Sequence, residues 1–196
     1  APKRPISNSA PAASPSSGRR LDEIRGRRTL RVGYFRDAVP YAFLNAAGEL
    51  VGYDIEMAHI LARDLDVSVE FVETTRDHAG QALSSGTADI IYTGQAFGAR
   101  SHPPIAIGGA PYMFRDFDHW KKYSQSPVLN ELADGYFKKG NNRPIAYTYY
   151  GVRHTTSNKP IVKPEDMKGL KLRVPDAPLY IMYPKIAGAN ATPNAF

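Results

Sequence analysis

Residues 29–93, TLRVGYFRDAVPYAFLNAAGELVGYDIEMAHILARDLDVSVEFVETTRDHAGQALSSGTADIIYT, carry the pattern that decides the fold. Thr29 to Tyr34 reads as a strand. Tyr53 to Leu65 reads as an amphipathic helix, because Ile55, Ala58, His59, Ala62 and Leu65 recur at helical spacing. Val67 to Val72 alternates as a second strand, and Arg76 to Leu83 reads as a short helix stopped by Ser84, Ser85 and Gly86. Ala88 to Thr93, ADIIYT, reads as a third, buried strand. Strand, helix, strand, helix, strand with short connections predicts parallel pairing through right-handed crossovers.

Outward from this unit the chain changes twice. Residues 1–18 are mostly Pro, Ser and Ala without periodicity and read as a flexible leader. A short helix is expected at about Leu21 to Arg25. Downstream, Pro103, Pro104 and Pro111 predict an extended crossing segment. Val128 to Lys138 reads as a helix with Leu129, Leu132, Ala133, Tyr136 and Phe137 on one face. Ile145 to Val152 is strand-like, Leu170 to Val174 is a strand, and Leu179 to Ala187 is a helix in which Pro184 predicts a kink or an early end. The division expected is a leader at 1–18, a first α/β lobe at 19–110, and the start of a second, incomplete α/β lobe at 111–196. Loops at the carboxyl ends of parallel strands would converge on a crevice between lobes.

Composition narrows the chemistry. The 196 residues contain no cysteine, which excludes a disulfide framework, a thiol nucleophile and cysteine-held metal. The net charge is +6, and it is concentrated: Arg19, Arg20, Arg25, Arg27, Arg28 and Arg31 fall within 13 residues, while the other 19 basic residues stand against the chain's 19 acidic ones. A solvated first helix accounts for this run; nucleic acid is not an expected partner, since no recognition module accompanies it. The five histidines, at 59, 78, 102, 119 and 154, lack metal-ligand spacing, no nucleotide or nucleophile motif occurs, and no cofactor is expected. Asp54 and Glu56 are two apart on a helix, point to different faces, and are read as capping and solvated groups.

The motifs then point to a family. GTADIIYTGQAF (86–97), APYMF (110–114), YYGVRHTTSNKPI (149–161), PEDMKGLKLRVPDAP (164–178) and GANATPNAF (188–196) closely resemble the extracytoplasmic solute-binding subunits of TRAP transporters. RRLDEIRGRRTLRVGYFRDAVPYAFLNAAGELVGYDIEMAHILARDL (19–65) is similar to the opening lobe of family 3 solute-binding proteins, the amino-acid binders. The two patterns meet near Ala82 to Gly86. The resemblance implies a type II periplasmic-binding-protein-like fold, a periplasmic or extracellular location, a small organic acid as ligand, and membrane transporter subunits as partners. A chimeric or truncated chain is expected, because the acidic segment and ALQ-containing helix of the TRAP pattern do not follow Phe196. Missing strands would leave sheet edges bare, inviting self-association.

The resemblance also assigns residues. Arg173, in LRVP, corresponds to the arginine that grips the ligand carboxylate at two points, a role that a planar guanidinium suits. Arg153, in GVRHTT, corresponds to a second arginine that touches the ligand or supports the first, with His154 and Thr155 as candidate supports, ordinary strand positions being the alternative for both. Asp176 corresponds to a polar ligand contact, with the N-cap of the next helix as the alternative. Phe196 corresponds to a ring that packs on the ligand. On the family 3 side, Tyr41 and Phe43 stand where an aromatic meets the ligand, core packing being the alternative, and Arg100 where a carboxylate-binding arginine occurs. Tyr112 is read as structural. Sialic acid, dicarboxylates, lactate-type acids and amino acids would all satisfy one arginine. Two other readings stand beside this one: a recombined scaffold without tight binding, and a dehydratase-like enzyme on the same fold.

Overall fold

The computed structural model describes residues 17–149 and 151–193. Their first half is a parallel sheet with helices. Helix α1 (Ser17–Arg27) leads into strand β1 (Thr29–Tyr34); a small hairpin, β2 (Phe43–Leu44) and β3 (Leu50–Val51), precedes α2 (Tyr53–Asp64). Strand β4 (Ser68–Glu73), α3 (Ala79–Ser85), β5 (Ile90–Ile91) and the single turn α4 (Gln95–Gly98) follow. The sheet order is β4-β1-β5, all parallel, with Thr29 opposite Ser68 and Val32 opposite both Phe71 and Ile90. The periodicity dictates this layering. Ile55, Ala58 and Ala62 are the buried stripe of α2, and Ala58 and Ala62 close over Leu30 and Val32 of β1 together with Ile24 of α1.

Two glycines are required by backbone shape. Gly52 has φ +134°, and a Cβ there would collide with the Tyr41 carbonyl, so only glycine lets the 38–42 loop lie on the start of α2. Gly86, at φ 78°, is the left-handed C-cap of α3.

The second half begins with a 3-10 turn, Pro103–Gly109, where an extended crossing was expected. Two prolines at the start preset φ for a helical turn, and Ile105 and Ala106 are buried by it. Helices α5 (Phe117–Ser124) and α6 (Pro127–Gly140) come next, each entered through a side-chain cap: Asp116 accepts from the His119 N–H and Ser126 from the Leu129 N–H. Asn142, just past α6, is buried and donates to the Gly80 carbonyl at 3.4 Å, joining this half to α3.

Residues 143–149 form no strand. Ile145 and Val152 are 73% and 68% exposed, and a strand needs a neighbour to complete its ladder and a face to bury. A second sheet follows, β6 (Lys171–Val174) parallel to β7 (Asn190–Pro193), linked by α7 (Pro178–Ile186). Met167, Val174, Ala177, Pro184 and Ala189 are its buried residues. Helix α7 runs two residues beyond Pro184 and then ends.

Asp89, in the turn before β5, is the polar centre of the first half. Its side chain is 1% exposed and ion-pairs with Arg27; Oδ1 lies 3.7 Å from Arg20, and Oδ2 accepts the Arg31 N–H at 2.8 Å. Of the other arginines in the run, Arg28 lies 3.7 Å from Asp66 and Arg31 3.4 Å from Glu70, both at the surface. The solvated-helix reading is therefore corrected for Arg20 and Arg27, which are counter-ions of a buried carboxylate, whereas Arg19, Arg25 and Arg28 are exposed as that reading expects. Removing a buried carboxylate that faces cations costs about 3 kcal/mol, the low end for such pairs because both guanidinium groups still reach water. Asp89→Ala should therefore lower unfolding free energy in urea by about that amount, while Arg20→Ala, at a half-exposed pair, should cost under about 1 kcal/mol.

Candidate functional site

Because β1, β4 and β5 are parallel, their carboxyl ends open on one edge, and the chain puts charged and aromatic groups there. After β4, Arg76 donates from Nη1 to both carboxylate oxygens of Asp37, which follows β1, at 2.7 and 2.8 Å. The Arg76 guanidinium carbon lies 4.9 Å from the Phe35 ring centre and 5.4 Å from that of Phe97, in α4. Phe97 meets Tyr180 of α7 edge to face, with centres 6.0 Å apart and planes at 64°. On Tyr180 lies Arg153, its guanidinium carbon 4.4 Å from the ring centre. Cation, ring, ring and cation form one continuous band from the first sheet to the second half of the chain.

Arg100 makes a parallel link. It is ion-paired with Asp77, and its Nη2 donates to the backbone carbonyl of Asp176 at 3.3 Å. Asp176 is not the N-cap of α7: Ala177 holds that position and offers no capping side chain. Its own side chain is exposed, which removes the alternative reading and leaves its carboxylate at the surface.

The arginines of the band differ in charge balance. Arg76 and Arg100 are compensated by Asp37 and Asp77, whereas Arg153 has no carboxylate partner among the described residues. A guanidinium stacked on a ring keeps its in-plane N–H edge for a bidentate acceptor. Arg173 is on β6, opposite Thr192 of β7. Leu172 and Val174 turn to the α7 side, while Lys171 and Arg173 are exposed on the other face. Arg153 and Arg173 thus rest on different supports.

The remaining expected residues are placed as follows. Tyr41 is half-buried, its carbonyl accepting the Asp54 N–H at 2.9 Å, and Phe43 is half-buried in β2 opposite Val51. His154 and Thr155 are exposed. Phe196 lies outside the described residues. Tyr112 is 88% exposed and meets Tyr183 edge to face at 6.1 Å. Arg76, Phe97 and Tyr180 were not singled out from the sequence; for Arg76 the signal was its place at the carboxyl end of a parallel strand. Among the described residues no three His, Asp or Glu side chains converge on a metal site, and no helix is long and apolar enough to cross a membrane.

A cavity of about 10 Å³, lined by Val32, Phe35, Ala38, Ala42, Asp54 and Tyr92 among others, lies beneath this edge. Burial pushes the Asp54 carboxyl above its ordinary value. It also raises the Tyr92 hydroxyl, with the Asp54 and Tyr53 charges adding to the effect. Asp54 is half-buried rather than solvated, and Gly52 is the N-cap of α2, so the capping reading of Asp54 is corrected too.

Two family models match the chain: bacterial extracellular solute-binding protein, family 7, over residues 74–196, and bacterial extracellular solute-binding proteins, family 3, over residues 30–99. A sialic acid-binding periplasmic protein of Vibrio cholerae is 39% identical over 59% of this chain and 36% of its own. A 2,3-diketo-L-gulonate-binding periplasmic protein of Escherichia coli is 32% identical over 64% and 39%, and a C4-dicarboxylate-binding periplasmic protein of Vibrio cholerae 29% over 61% and 36%. The chain therefore spans little more than a third of the length of these relatives. Among solved structures, an ancestral cationic amino acid solute-binding protein is 47% identical over 38% of this chain and 32% of its own, with a TM-score of 0.36.

The raised Asp54 carboxyl sets a pH dependence. The folded chain keeps this proton to higher pH than the unfolded chain, so stability falls as pH rises from the ordinary carboxylate value through the raised one, and the penalty stays above it. Asp54→Asn removes that slope. Melting temperatures of parent and variant, measured across this range, should diverge in the variant's favour as pH rises and then run parallel; a constant difference would mean the carboxylate is not desolvated.

Proposed function

The chain belongs to the bacterial extracellular solute-binding protein family 7, and from that membership we propose that it captures a small organic carboxylate outside the cytoplasm for delivery to a membrane transporter. The observation that carries the proposal is Arg153: an exposed guanidinium stacked on Tyr180, within a family motif, with no carboxylate of its own among the described residues. Relatives named for sialic acid, 2,3-diketo-L-gulonate and C4-dicarboxylates support an acid as the ligand class. The family description and the relatives' names are those of binding proteins, and capture without turnover is the activity we assign.

In this reading residues 19–110 and 111–196 act as two lobes, and the acid enters between them. Arg153 receives the carboxylate, with the stacked ring holding the guanidinium plane so that little freedom is lost on binding. Arg173 is the second grip, Asp176 a polar contact, and Tyr41, Phe43 and Phe196 the apolar walls. Arg100 is better suited to holding the lobes, since Asp77 and the Asp176 carbonyl already occupy it. Closure follows from tighter binding to the closed arrangement, and transport partners would read that state.

A second reading is supported by a specific observation. The two family models overlap across residues 74–99, which include the 82–86 join, and Arg173 is exposed. A recombined scaffold would then hold both half-patterns without a working cleft, as site groups must be placed within about 0.5 Å to bind well.

Calorimetry with sialic acid, 2,3-diketo-L-gulonate, C4-dicarboxylates and amino acids separates the two. The expected outcome is binding of at least one acid, weakened about tenfold to a hundredfold by Arg153→Ala and by Arg173→Ala, as fits the loss of a charge-assisted hydrogen bond. Full affinity in both variants would remove the arginines from the site, and no heat with any acid would favour the scaffold.

A further inference from the structure

The start of α7 is held by groups outside the helix. Its N-cap, Ala177, has no capping side chain, and Pro178, which follows, has no N–H. Three residues from 94–109 meet this first turn and the residue before its cap. Gly109 admits Leu179, whose Cδ2 would stand 3.3 Å from a Cβ placed there. Phe97 meets Tyr180 edge to face. Arg100 donates from Nη2 to the Asp176 carbonyl at 3.3 Å. The first contact is apolar and non-directional, whereas a hydrogen bond weakens steeply once its angle is lost. Arg100 is itself fixed. Its Nη1 donates to Asp77, so the two arms of one planar guanidinium face the two halves of the chain. Asp77 follows Arg76, whose Nη1 holds both carboxylate oxygens of Asp37. Two neighbouring residues thus tie the exit of β4 to the exit of β1 and, through Arg100, to the turn ahead of α7.

We infer that Arg100 is a positioning residue: it sets where the first turn of α7 lies and, through Tyr180, where Arg153 is presented. The path is short. Tyr180 is four residues beyond the carbonyl that Arg100 holds, and the Arg153 guanidinium carbon lies 4.4 Å from the Tyr180 ring centre. Arg100 acts on placement more than on stability. Its pair with Asp77 is 40% and 61% exposed, and exposed pairs add little to unfolding free energy. The Arg76–Asp37 pair, at 27% and 33%, is the more buried of the two and anchors the loop from which Asp77 projects. Lysine would not be equivalent at position 100, since a compact ammonium lacks the rigid fork that reaches a carboxylate with one arm and a carbonyl with the other. Only the effect on ligand affinity rests on the function proposed above; the placement of α7 does not.

Nuclear magnetic resonance of the full chain reads this placement. The Ala177, Tyr180 and Ile181 amides are hydrogen-bonded within the turn. In Arg100→Ala they should exchange about twofold to tenfold faster, as fits the loss of one hydrogen bond, while Ala58 and Ala62 of α2 keep the parent rate. The Arg153 Hδ resonances, displaced in the parent by the Tyr180 ring current, should move toward their values in Tyr180→Leu. Arg100→Lys keeps a cation beside Asp77 without the fork, and should match Arg100→Ala in both readouts. Parental behaviour in Arg100→Lys would overturn the proposal by leaving the ion pair as the whole effect. So would unchanged turn amides and Arg153 shifts in Arg100→Ala, or faster exchange in α2 as well, which marks a merely structural contact. Calorimetry with sialic acid, 2,3-diketo-L-gulonate and C4-dicarboxylates should show binding weakened about tenfold in both variants. Parental affinity beside a displaced α7 would overturn the link to Arg153. No heat from any of these acids in the parent would count against carboxylate capture, while the exchange rates and Arg153 shifts still decide the role of Arg100.

Discussion

The carboxylate of Asp89 is taken almost wholly out of water, and a lone charge in that position would cost far more than a domain's net stability. It is tolerable only because α1 delivers Arg20 and Arg27 to one side and β1 offers the Arg31 N–H on the other. The geometry of the first half follows from meeting that demand. Helix α1 must lie where its arginines reach the turn before β5. Strand β5 is then held beside β1, and the loop leaving β5 is aimed at the edge where Phe97 and Arg76 meet. Within the basic run read from the sequence as a solvated helix, Arg20 and Arg27 are counter-ions of this buried carboxylate. Arg31 opposite Glu70 in the β1–β4 register extends the same solution across the sheet.

A second constraint is the parallel direction of the strands. It brings three chain exits to one edge, each exit being free to carry polar or aromatic groups because it owes no ladder hydrogen bonds. Asp37, Arg76 and Phe97 come from three different exits, and their contacts depend on that shared direction more than on any local motif. The contribution from the second half is smaller: one ring of α7 and one arginine from an unladdered segment. Arg173 has a different origin, since strand alternation sends it to the face away from α7.

How much could be read beforehand depended on where each residue's environment is set. Strand β1 and helices α2 and α6 match their expected spans within one to three residues, because a buried stripe on a regular element leaves its period in the chain itself. Expected Ala88–Thr93 shrinks to Ile90–Ile91; at its start the Asp89 carboxylate, rather than a backbone carbonyl, takes the Arg31 N–H. Helix α5 was not anticipated, although Asp116 three residues before His119 is a cap signal; its apolar content is aromatic and half-exposed, with no clean stripe. The hairpin β2–β3 and strand β7 are too short for periodicity to register. Ile145 to Val152 failed for the opposite reason: the propensity is real, and the partner strand is missing among the described residues. At the site, Arg153 and Arg100 were legible through motifs. Arg76, Phe97 and Tyr180 were not, because a stack assembled from three elements leaves no spacing in any one of them.

The charge economy of the band bears on how an exposed Arg153 would suit the proposed ligand. An arginine in water costs nothing to keep charged, so an open site need not provide a counter-ion. What it must provide is position, and in the proposed reading the Tyr180 ring, 4.4 Å from the Arg153 guanidinium carbon, would provide it. Had Arg153 been buried, a carboxylate from the chain would be needed to hold it, and an incoming acid would have to displace that group first. Arg76 and Arg100 illustrate that alternative: each is already paired with an aspartate and serves the architecture around the ring pair. In the proposed reading, one guanidinium without a carboxylate partner among the described residues, beside two that are neutralised, would attract one carboxylate while the resting fold carries little repulsion. The attraction would strengthen when a second wall excludes water, since the same pair of charges interacts more strongly as the local dielectric falls.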